Sequence, residues 1–200
     1  MISIIKKFFA TSRYDKPHGA LLLYFPCIWG LSFNNHNITE VIFLCIIFFF
    51  GAYGMRSLGC IWNDYNDREI DLKVERTKNR FIASKKINTT QILFFGFFNA
   101  IIGSIPLFFL PINSILLSIF VIPLILIYPR MKRITWWPQF WLGLSFNWGI
   151  LVGFSISGDF FLTPTIFLFY IGGVLFTIGY DTIYGYQDIK DDEIIGVKST

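Results

Sequence analysis

Long apolar runs alternate with short polar connections along most of this 200-residue chain. Six runs have close to the roughly 20 residues that an α-helix needs to cross a bilayer. They cover residues 19–33, 41–62, 91–110, 114–128, 136–157 and 162–184. The apolar residues are continuous and lack the alternation that a transmembrane β-strand requires. The pattern therefore predicts an all-α bundle of about six transmembrane helices, of which the first and fourth are short and either tilted or set in thin bilayer.

The composition agrees with a bilayer as the solvent. Hydrophobic residues make up 54% of the chain and charged residues only 15%, whereas soluble domains carry about 25% charged residues. Disorder is excluded by this apolar content. The length suits one compact bundle, so we expect a single transmembrane domain over residues 1–200.

The basic residues lie on alternate connections. Of the 17 Lys and Arg residues, most lie before the first run, between the second and third, between the fourth and fifth, and after the sixth. The remaining connections, at 34–40, 111–113 and 158–164, contain neither. By the positive-inside rule, the N-terminus and the basic connections are cytoplasmic. Two acidic segments, near residues 64 and 188, are therefore predicted to face each other on the cytoplasmic side.

The first acidic segment reads N-D-Y-N-D-R-E-I-D over residues 63–71. If the second helix continues through it, Asn63, Asp67 and Asp71 recur every four residues and share one face with Asp64. Like charges at this spacing repel, and a divalent cation would offset the repulsion. Oxygen ligands suit Mg²⁺, which binds one or two carboxylates together with substrate phosphates. A solvated loop whose charges only define topology is the alternative.

Basic residues within this segment and directly after it are candidates for binding a diphosphate. They are Arg68, Arg76, Lys78 and Arg80.

The second acidic segment ends the sixth run and reads Y-D-T-I-Y-G-Y-Q-D-I-K-D-D over residues 180–192. On a helix, Asp181, Asp188 and Asp192 form one stripe. Two such clusters on one side of a bundle predict two metal ions around a diphosphate leaving group. An acidic helix end without a function is the alternative, which the helix dipole disfavours.

Together the two segments resemble the paired signatures of the UbiA prenyltransferases. Residues 59–80 are similar to the first signature. Residues 180–200 are similar to the second, in the form found in the branch that acts on 4-hydroxybenzoate in ubiquinone synthesis. Shorter matches lie at 15–17, 26–30, 128–129 and 132–133, so the resemblance extends from about residue 13 to residue 200.

The resemblance implies a reaction and its ligands. A polyprenyl group would pass from its diphosphate to position 3 of 4-hydroxybenzoate, with Mg²⁺ as the cofactor. The implied metal ligands are Asn63, Asp64, Asp67, Asp71, Asp181, Asp188 and Asp192. The implied partners are polyprenyl diphosphate, 4-hydroxybenzoate and the lipid bilayer. Nucleic acid is not among them, and the sequence indicates no protein partner.

Three residues are implied to act directly in catalysis: Asp67, Asp181 and Arg133. By resemblance, Arg133 holds the benzoate carboxylate, although a plain topological charge is an equal alternative. Asp181 either binds metal or orients the phenol. Secondary candidates are Arg13 and Arg56, and the latter lies within the second run, where a charge is costly and usually faces a wet cavity. Aromatic candidates for shielding a carbocation, or simply for packing, are Trp62, Tyr65, Phe146 and Trp148.

The chain departs from the family pattern in two respects. Phe81 stands where the family usually has Pro, and Lys85-Lys86 where it has Gly. The family fold has nine helices, against about six predicted here, so an inactive truncated remnant is one alternative reading. The others are a prenyltransferase with another aromatic acceptor and a transporter with buried carboxylates. The predicted location is a bacterial inner membrane.

Overall fold

A computed structural model describes residues 3–158 and 163–187, and every regular element in these ranges is helical. The helices are α1 (Ile4–Thr11), α2 (His18–Leu31), α3 (Ile38–Asn66), α4 (Arg68–Asp71), α5 (Thr89–Ser104), α6 (Ile112–Phe120), α7 (Ile122–Ile134), α8 (Pro138–Phe154) and α9 (Pro164–Gly185). Single 3₁₀ turns extend α5 over Ile105–Phe108 and α8 over Ser155–Ser157. The predicted all-α architecture is confirmed.

Five segments of the described chain are long and apolar enough to cross a membrane. They are Ile38–Asn66, Thr89–Phe108, Ile112–Met131, Pro138–Ser157 and Pro164–Gly185. The first predicted run forms the 14-residue helix α2, which is shorter than these spans. The fourth run is divided into α6 and α7 at Val121, because Pro123 lacks the N–H that would continue the helical hydrogen bonds.

Helix α8 is the centre of the bundle. In the most apolar 18-residue stretch of the span that contains α8, 61% of the residues are buried, against 11–33% in the corresponding stretches of the other four spans. It packs against α2 on one side and α9 on the other, while α3 packs against α2 and α5. The core between these helices is built on Ile150, Ile166 and Val174. The remaining helix faces are apolar and exposed, as expected where lipid replaces water.

Two glycines allow neighbouring helices to approach closely. A Cβ atom at Gly153 of α8 would lie 2.1 Å from the carbonyl oxygen of Cys27 in α2. A Cβ atom at Gly54 of α3 would lie 2.2 Å from the backbone nitrogen of Gly103 in α5. Both distances are far below van der Waals contact, so a side chain at either site forces two backbones apart.

We expect Gly153→Ala to lower the free energy of unfolding by about 1–3 kcal/mol, because the added methyl group overpacks the α2–α8 interface. Gly179→Ala in α9 is the matched control, since no neighbouring element in the described part of the chain comes within 4 Å of where its Cβ would be. The control is expected to be neutral or stabilising by up to about 1 kcal/mol through helix propensity. Thermal unfolding in detergent measures both, and equal melting temperatures for the two variants would contradict the expectation.

The charged connections meet at one end of the bundle. The Lys7 ammonium donates to the carbonyl oxygen of Lys86 at 2.7 Å. Arg13, before α2, and Arg133, at the end of α7, both reach carboxylates of the first acidic segment. The basic segments before α2, after α3 and at the end of α7 therefore share one end, as their alternation along the chain predicted, whereas Lys190 and Lys198 lie outside the described residues.

Candidate functional site

A cavity of about 370 Å³ lies at the charged end of the bundle. Its polar wall comprises Arg13, His18, Arg56, Asn63, Asp64, Arg76, Arg80 and Asp181. Its apolar and aromatic wall includes Leu22, Leu23, Met55, Trp62, Ile125, Tyr128, Leu142, Phe146, Tyr180 and Tyr184. Residues of both acidic segments thus line one space. A second cavity, of about 420 Å³, is lined by Phe33, Asn34, His36 and their neighbours and contains none of the predicted site residues.

The first acidic segment keeps its helical spacing although α3 ends within it. Asp67 leaves the helical conformation, at φ −97° and ψ 5°, and separates α3 from α4. The backbone hydrogen bonds nevertheless continue, from Asp67 N to Asn63 O at 2.9 Å and from Asp71 N to Asp67 O at 2.8 Å. Asp64, Asp67 and Asp71 consequently share a buried face, with exposed fractions of 4%, 0% and 5%.

Two arginines pair with two of these three carboxylates, Asp64 and Asp71. Arg13 binds both oxygens of Asp64, at 2.7 and 2.9 Å. Arg80 bridges the segment, lying 3.0 Å from Asp64 Oδ1 and 2.9 Å from Asp71 Oδ2. Burial by itself lowers the pKa of Arg13, but the charge and hydrogen bond of Asp64, together with the nearby Cys60 and Asp71, outweigh burial and raise that pKa overall. The result is a fixed array of alternating charges at the cavity wall.

The predicted metal ligands are only partly gathered in this structure. Asn63 and Asp64 line the cavity from α3, and Asp181 lines it from α9. Asp67 and Asp71 are buried beside the cavity rather than in its wall. Asp188 and Asp192 lie outside the described residues. Within residues 3–158 and 163–187, no three His, Cys, Asp or Glu side chains come together as a metal site. The oxygen donors at the cavity fit a hard cation in kind.

The four predicted diphosphate-binding residues divide into two pairs. Arg80 lines the cavity, and so does Arg76, whose guanidinium lies 5.6 Å from the ring centroid of Tyr184 in α9. Arg68 instead donates to the carbonyl oxygen of Tyr65 at 2.8 Å, and Lys78 pairs with Glu75. These two side chains are exposed and are not part of the cavity wall.

Arg133 lies outside the cavity wall. It pairs with Asp67 Oδ1 at 3.4 Å and donates to the carbonyl oxygen of Asn66 at 3.0 Å. Its position supports the end of α3 from α7. The structure therefore does not bring Arg133 to the space that the cavity offers a substrate.

Arg56 enters the same cavity from a deeper position. It lies seven residues before Asn63 on α3, which is about 10 Å along the helix axis. Its guanidinium donates to Cys60 Sγ at 2.7 Å and lies 5.5 Å from the ring centroid of Phe146. Gly19 makes room for it, because a Cβ atom there would lie 2.6 Å from Arg56 Nε. The single charge inside the second apolar run was the sequence signal for this residue.

Two of the four aromatic candidates line the cavity and two do not. Trp62 and Phe146 line the cavity. Tyr65 is exposed, and Trp148 donates to the carbonyl oxygen of Leu117 at 2.8 Å away from the site. The cavity tyrosines Tyr128 and Tyr180 were not predicted, because their positions at the ends of apolar runs resemble those of ordinary interfacial tyrosines.

Comparison with known proteins gives one consistent result. Residues 23–200 match the model described as the UbiA prenyltransferase family. The chain is 41% identical over 200 residues to the mitochondrial 4-hydroxybenzoate polyprenyltransferase of Dictyostelium discoideum, covering 98% of this chain and 43% of the relative. It is 37% identical over 196 residues to the 4-hydroxybenzoate octaprenyltransferase of Marinomonas sp. (strain MWYL1), covering 98% of this chain and 69% of the relative. The chain thus spans about half the length of several curated relatives that it matches.

Solved structures agree on the fold. The apo structure of a UbiA homolog from Aeropyrum pernix K1 superposes with a TM-score of 0.70 at 21% identity, covering 100% of this chain and 70% of that one. A structure of digeranylgeranylglyceryl phosphate synthase gives a TM-score of 0.71 at 17% identity, covering 99% of this chain and 68% of that one. Likeness at these identities concerns the arrangement of helices alone.

Proposed function

The chain belongs to the UbiA prenyltransferase family, and from this premise we propose that the protein transfers a polyprenyl group from a polyprenyl diphosphate to 4-hydroxybenzoate. The observation that carries the proposal is the shared cavity: Asn63 and Asp64 of the first acidic segment face Asp181 of the second across one space. Cationic side chains for an anionic donor and apolar walls for a prenyl cation line that same space.

The donor diphosphate would bind at the polar wall. Arg76 and Arg80 supply guanidinium groups, which bind phosphate oxygens in a bidentate manner. UbiA-family enzymes generally depend on a divalent metal, and we propose Mg²⁺, which when bound would neutralise the departing diphosphate. Asn63, Asp64 and Asp181, which line the cavity, would be its ligands, and Asp67, Asp71, Asp188 and Asp192 would complete the proposed set.

The acceptor would bind deeper in the cavity. We assign its carboxylate to Arg56, because Arg56 reaches the cavity whereas Arg133 does not. The ring would then lie near Phe146, and the phenol hydroxyl would point toward Asp181. A carboxylate that accepts this hydroxyl proton increases the electron density at the ring carbon ortho to the oxygen.

The proposed prenyl transfer requires a cavity from which water is excluded. When the allylic C–O bond breaks, diphosphate leaves and a delocalised prenyl cation remains until the ortho carbon attacks it. That carbon then gives its proton to the departed diphosphate, the ring becomes aromatic again, and Asp181 returns the phenol proton. Leu22, Ile125 and Leu142 line the cavity with hydrocarbon and keep water from the cation. A transporter with buried carboxylates would need ionisable residues near the middle of the bilayer. Apart from Arg56, the ionisable residues named here lie at one end of the bundle, so a transporter explains the arrangement less well.

The protein is an integral membrane protein, and we propose that both acidic segments face the cytoplasm from a bacterial inner membrane. The distribution of Lys and Arg supports this orientation, and the Marinomonas relative supports a bacterial setting. Relatives named as mitochondrial make a mitochondrial membrane the alternative.

The test is product formation in membranes that contain the protein. We expect a polyprenyl diphosphate and 4-hydroxybenzoate to yield the 3-polyprenyl product, detected by mass spectrometry. EDTA is expected to abolish the product and added Mg²⁺ to restore it, because the diphosphate needs its counter-ion. Prenylation of a hydroxynaphthoate in place of 4-hydroxybenzoate would reassign the acceptor. Absence of any product from folded protein would refute the proposed activity.

A further inference from the structure

Arg13 has an unusual backbone for a residue with a side chain. Its φ angle is +60°, in the left-handed region that non-glycine residues rarely adopt. This conformation occurs in the connection between α1 and α2, and from it the guanidinium reaches both oxygens of Asp64 on α3. The end of α1 supplies part of what holds this conformation, since Tyr14 N donates to the carbonyl oxygen of Phe9 at 3.1 Å. The left-handed conformation still costs free energy for a residue other than glycine, so contacts from the rest of the molecule supply the remainder.

Asn99 of α5 holds the residues on both sides of Arg13. The Asn99 amide nitrogen donates to Ser12 Oγ at 2.9 Å, and its oxygen accepts from the Tyr14 hydroxyl at 2.8 Å. The second N–H of the amide donates to the carbonyl oxygen of Phe95 at 2.8 Å, which fixes its orientation. Asn99 is fully buried and Ser12 nearly so. One side chain therefore clamps both neighbours of the strained residue.

The clamp is supported by its surroundings. The ring of Phe8 packs against Phe95 and Tyr14, with centroids 5.2 and 5.7 Å away, and brings α1 onto α5. Burial raises the pKa of Tyr14, an effect that a hydrogen bond with Ser57 partly offsets. The Tyr14 hydroxyl consequently remains protonated and can donate to Asn99 near neutral pH.

We propose that Asn99 is a positioning residue for the active site: by binding Ser12 and Tyr14, it holds Arg13 in the left-handed conformation that directs its guanidinium to Asp64. The role rests on the proposed function, because Asp64 lies in the proposed diphosphate and metal site. Asn99 itself lies outside the cavity wall and acts only through Arg13.

Limited trypsin digestion tests the positioning without any activity. Trypsin cleaves after Arg13 once the connection opens, while the bond after Lys16 precedes Pro17 and resists cleavage. We expect Asn99→Ala to increase the rate of cleavage between Arg13 and Tyr14 about tenfold, since cleavage follows the population of the open state.

The matched control is Asn147→Ala, which removes another buried amide with two hydrogen bonds, to Gly143 and Thr177. It is expected to leave this cleavage within about twofold of the wild type.

Unchanged cleavage in Asn99→Ala would overturn the proposal. If Asn99→Ala unfolds and trypsin cleaves it at many sites, Tyr14→Phe replaces it in the test. Tyr14→Phe removes only one hydroxyl group and one hydrogen bond to Asn99. A smaller increase at the same bond is then expected, and wild-type cleavage would again refute the role.

A double-mutant cycle tests the link to the reaction. Asn99→Ala is expected to lower kcat/KM for polyprenyl diphosphate about tenfold in the wild-type background and less than about twofold in Arg13→Ala. Asn147→Ala is expected to have the same effect in both backgrounds. Equal losses for Asn99→Ala in both backgrounds would show a merely structural role. If the wild-type protein forms no product, the proposed function fails and the cleavage experiment alone decides the positioning.

Discussion

Asp64→Asn is expected to reduce kcat/KM for polyprenyl diphosphate by roughly 10²–10³-fold, as removal of a fixed electrostatic group in an active site typically does. Asp64 is 4% exposed and holds both Arg13 and Arg80. An asparagine there keeps the shape but removes the charge that aligns the two guanidinium groups. It also replaces a proposed carboxylate ligand of the metal with a neutral amide, which binds a divalent cation more weakly.

The same substitution is expected to lower the free energy of unfolding by about 1–3 kcal/mol, because two partly buried arginines lose a partner. Thermal unfolding therefore accompanies the kinetics, so that loss of activity is measured on folded protein. Glu69→Gln is the control, since this acidic side chain lies five residues away and is 85% exposed. Activity of Asp64→Asn within tenfold of the wild type would remove Asp64 from the proposed site.

Asp181→Asn is expected to lower kcat by roughly 10²–10⁴-fold, the range typical for loss of a general base. Asparagine matches aspartate in size but cannot accept the phenol proton. If Asp181 acts on the phenol, the defect should shrink with a fluorinated 4-hydroxybenzoate, whose hydroxyl ionises more readily. If Asp181 only binds metal, the defect is the same for both acceptors and diminishes as Mg²⁺ is raised.

Asp15→Asn is the matched control for this experiment. Asp15 is exposed in the connection before α2 and is not part of the cavity wall. It is expected to retain wild-type kcat with both acceptors. Wild-type kcat in Asp181→Asn would contradict the proposed role of the second acidic segment.

The helices and the acidic face were predictable because both depend on local spacing. Apolar runs of bilayer length leave few alternatives to helices, and a four-residue repeat keeps carboxylates on one face. That repeat survives the end of α3 at Asp67, since the hydrogen bonds spaced four residues apart continue. The same reasoning holds at α2, where the first run was predicted to be short and the helix has 14 residues.

The direction of charged side chains outside the helices was not predictable. Arg76 and Arg80 reach the cavity whereas Arg68 and Lys78 do not, although all four lie within or shortly after the first acidic segment. The fold of the connection decides this, through contacts such as that of Arg76 with Tyr184, more than 100 residues away. The clamp of Asn99 on Ser12 is equally non-local, and no repeat or motif marks it.

The volume of the cavity has a consequence for substrate length. At about 370 Å³ it lies near the lower end of the roughly 300–1,000 Å³ typical of small-molecule sites. A benzoate ring and a diphosphate occupy much of that space, so a tail of many isoprene units must extend past it along exposed apolar helix faces into lipid. Under the proposed function, the cavity does not set the length of the prenyl chain. It binds the diphosphate and the benzoate, and the bilayer serves as the solvent for the tail.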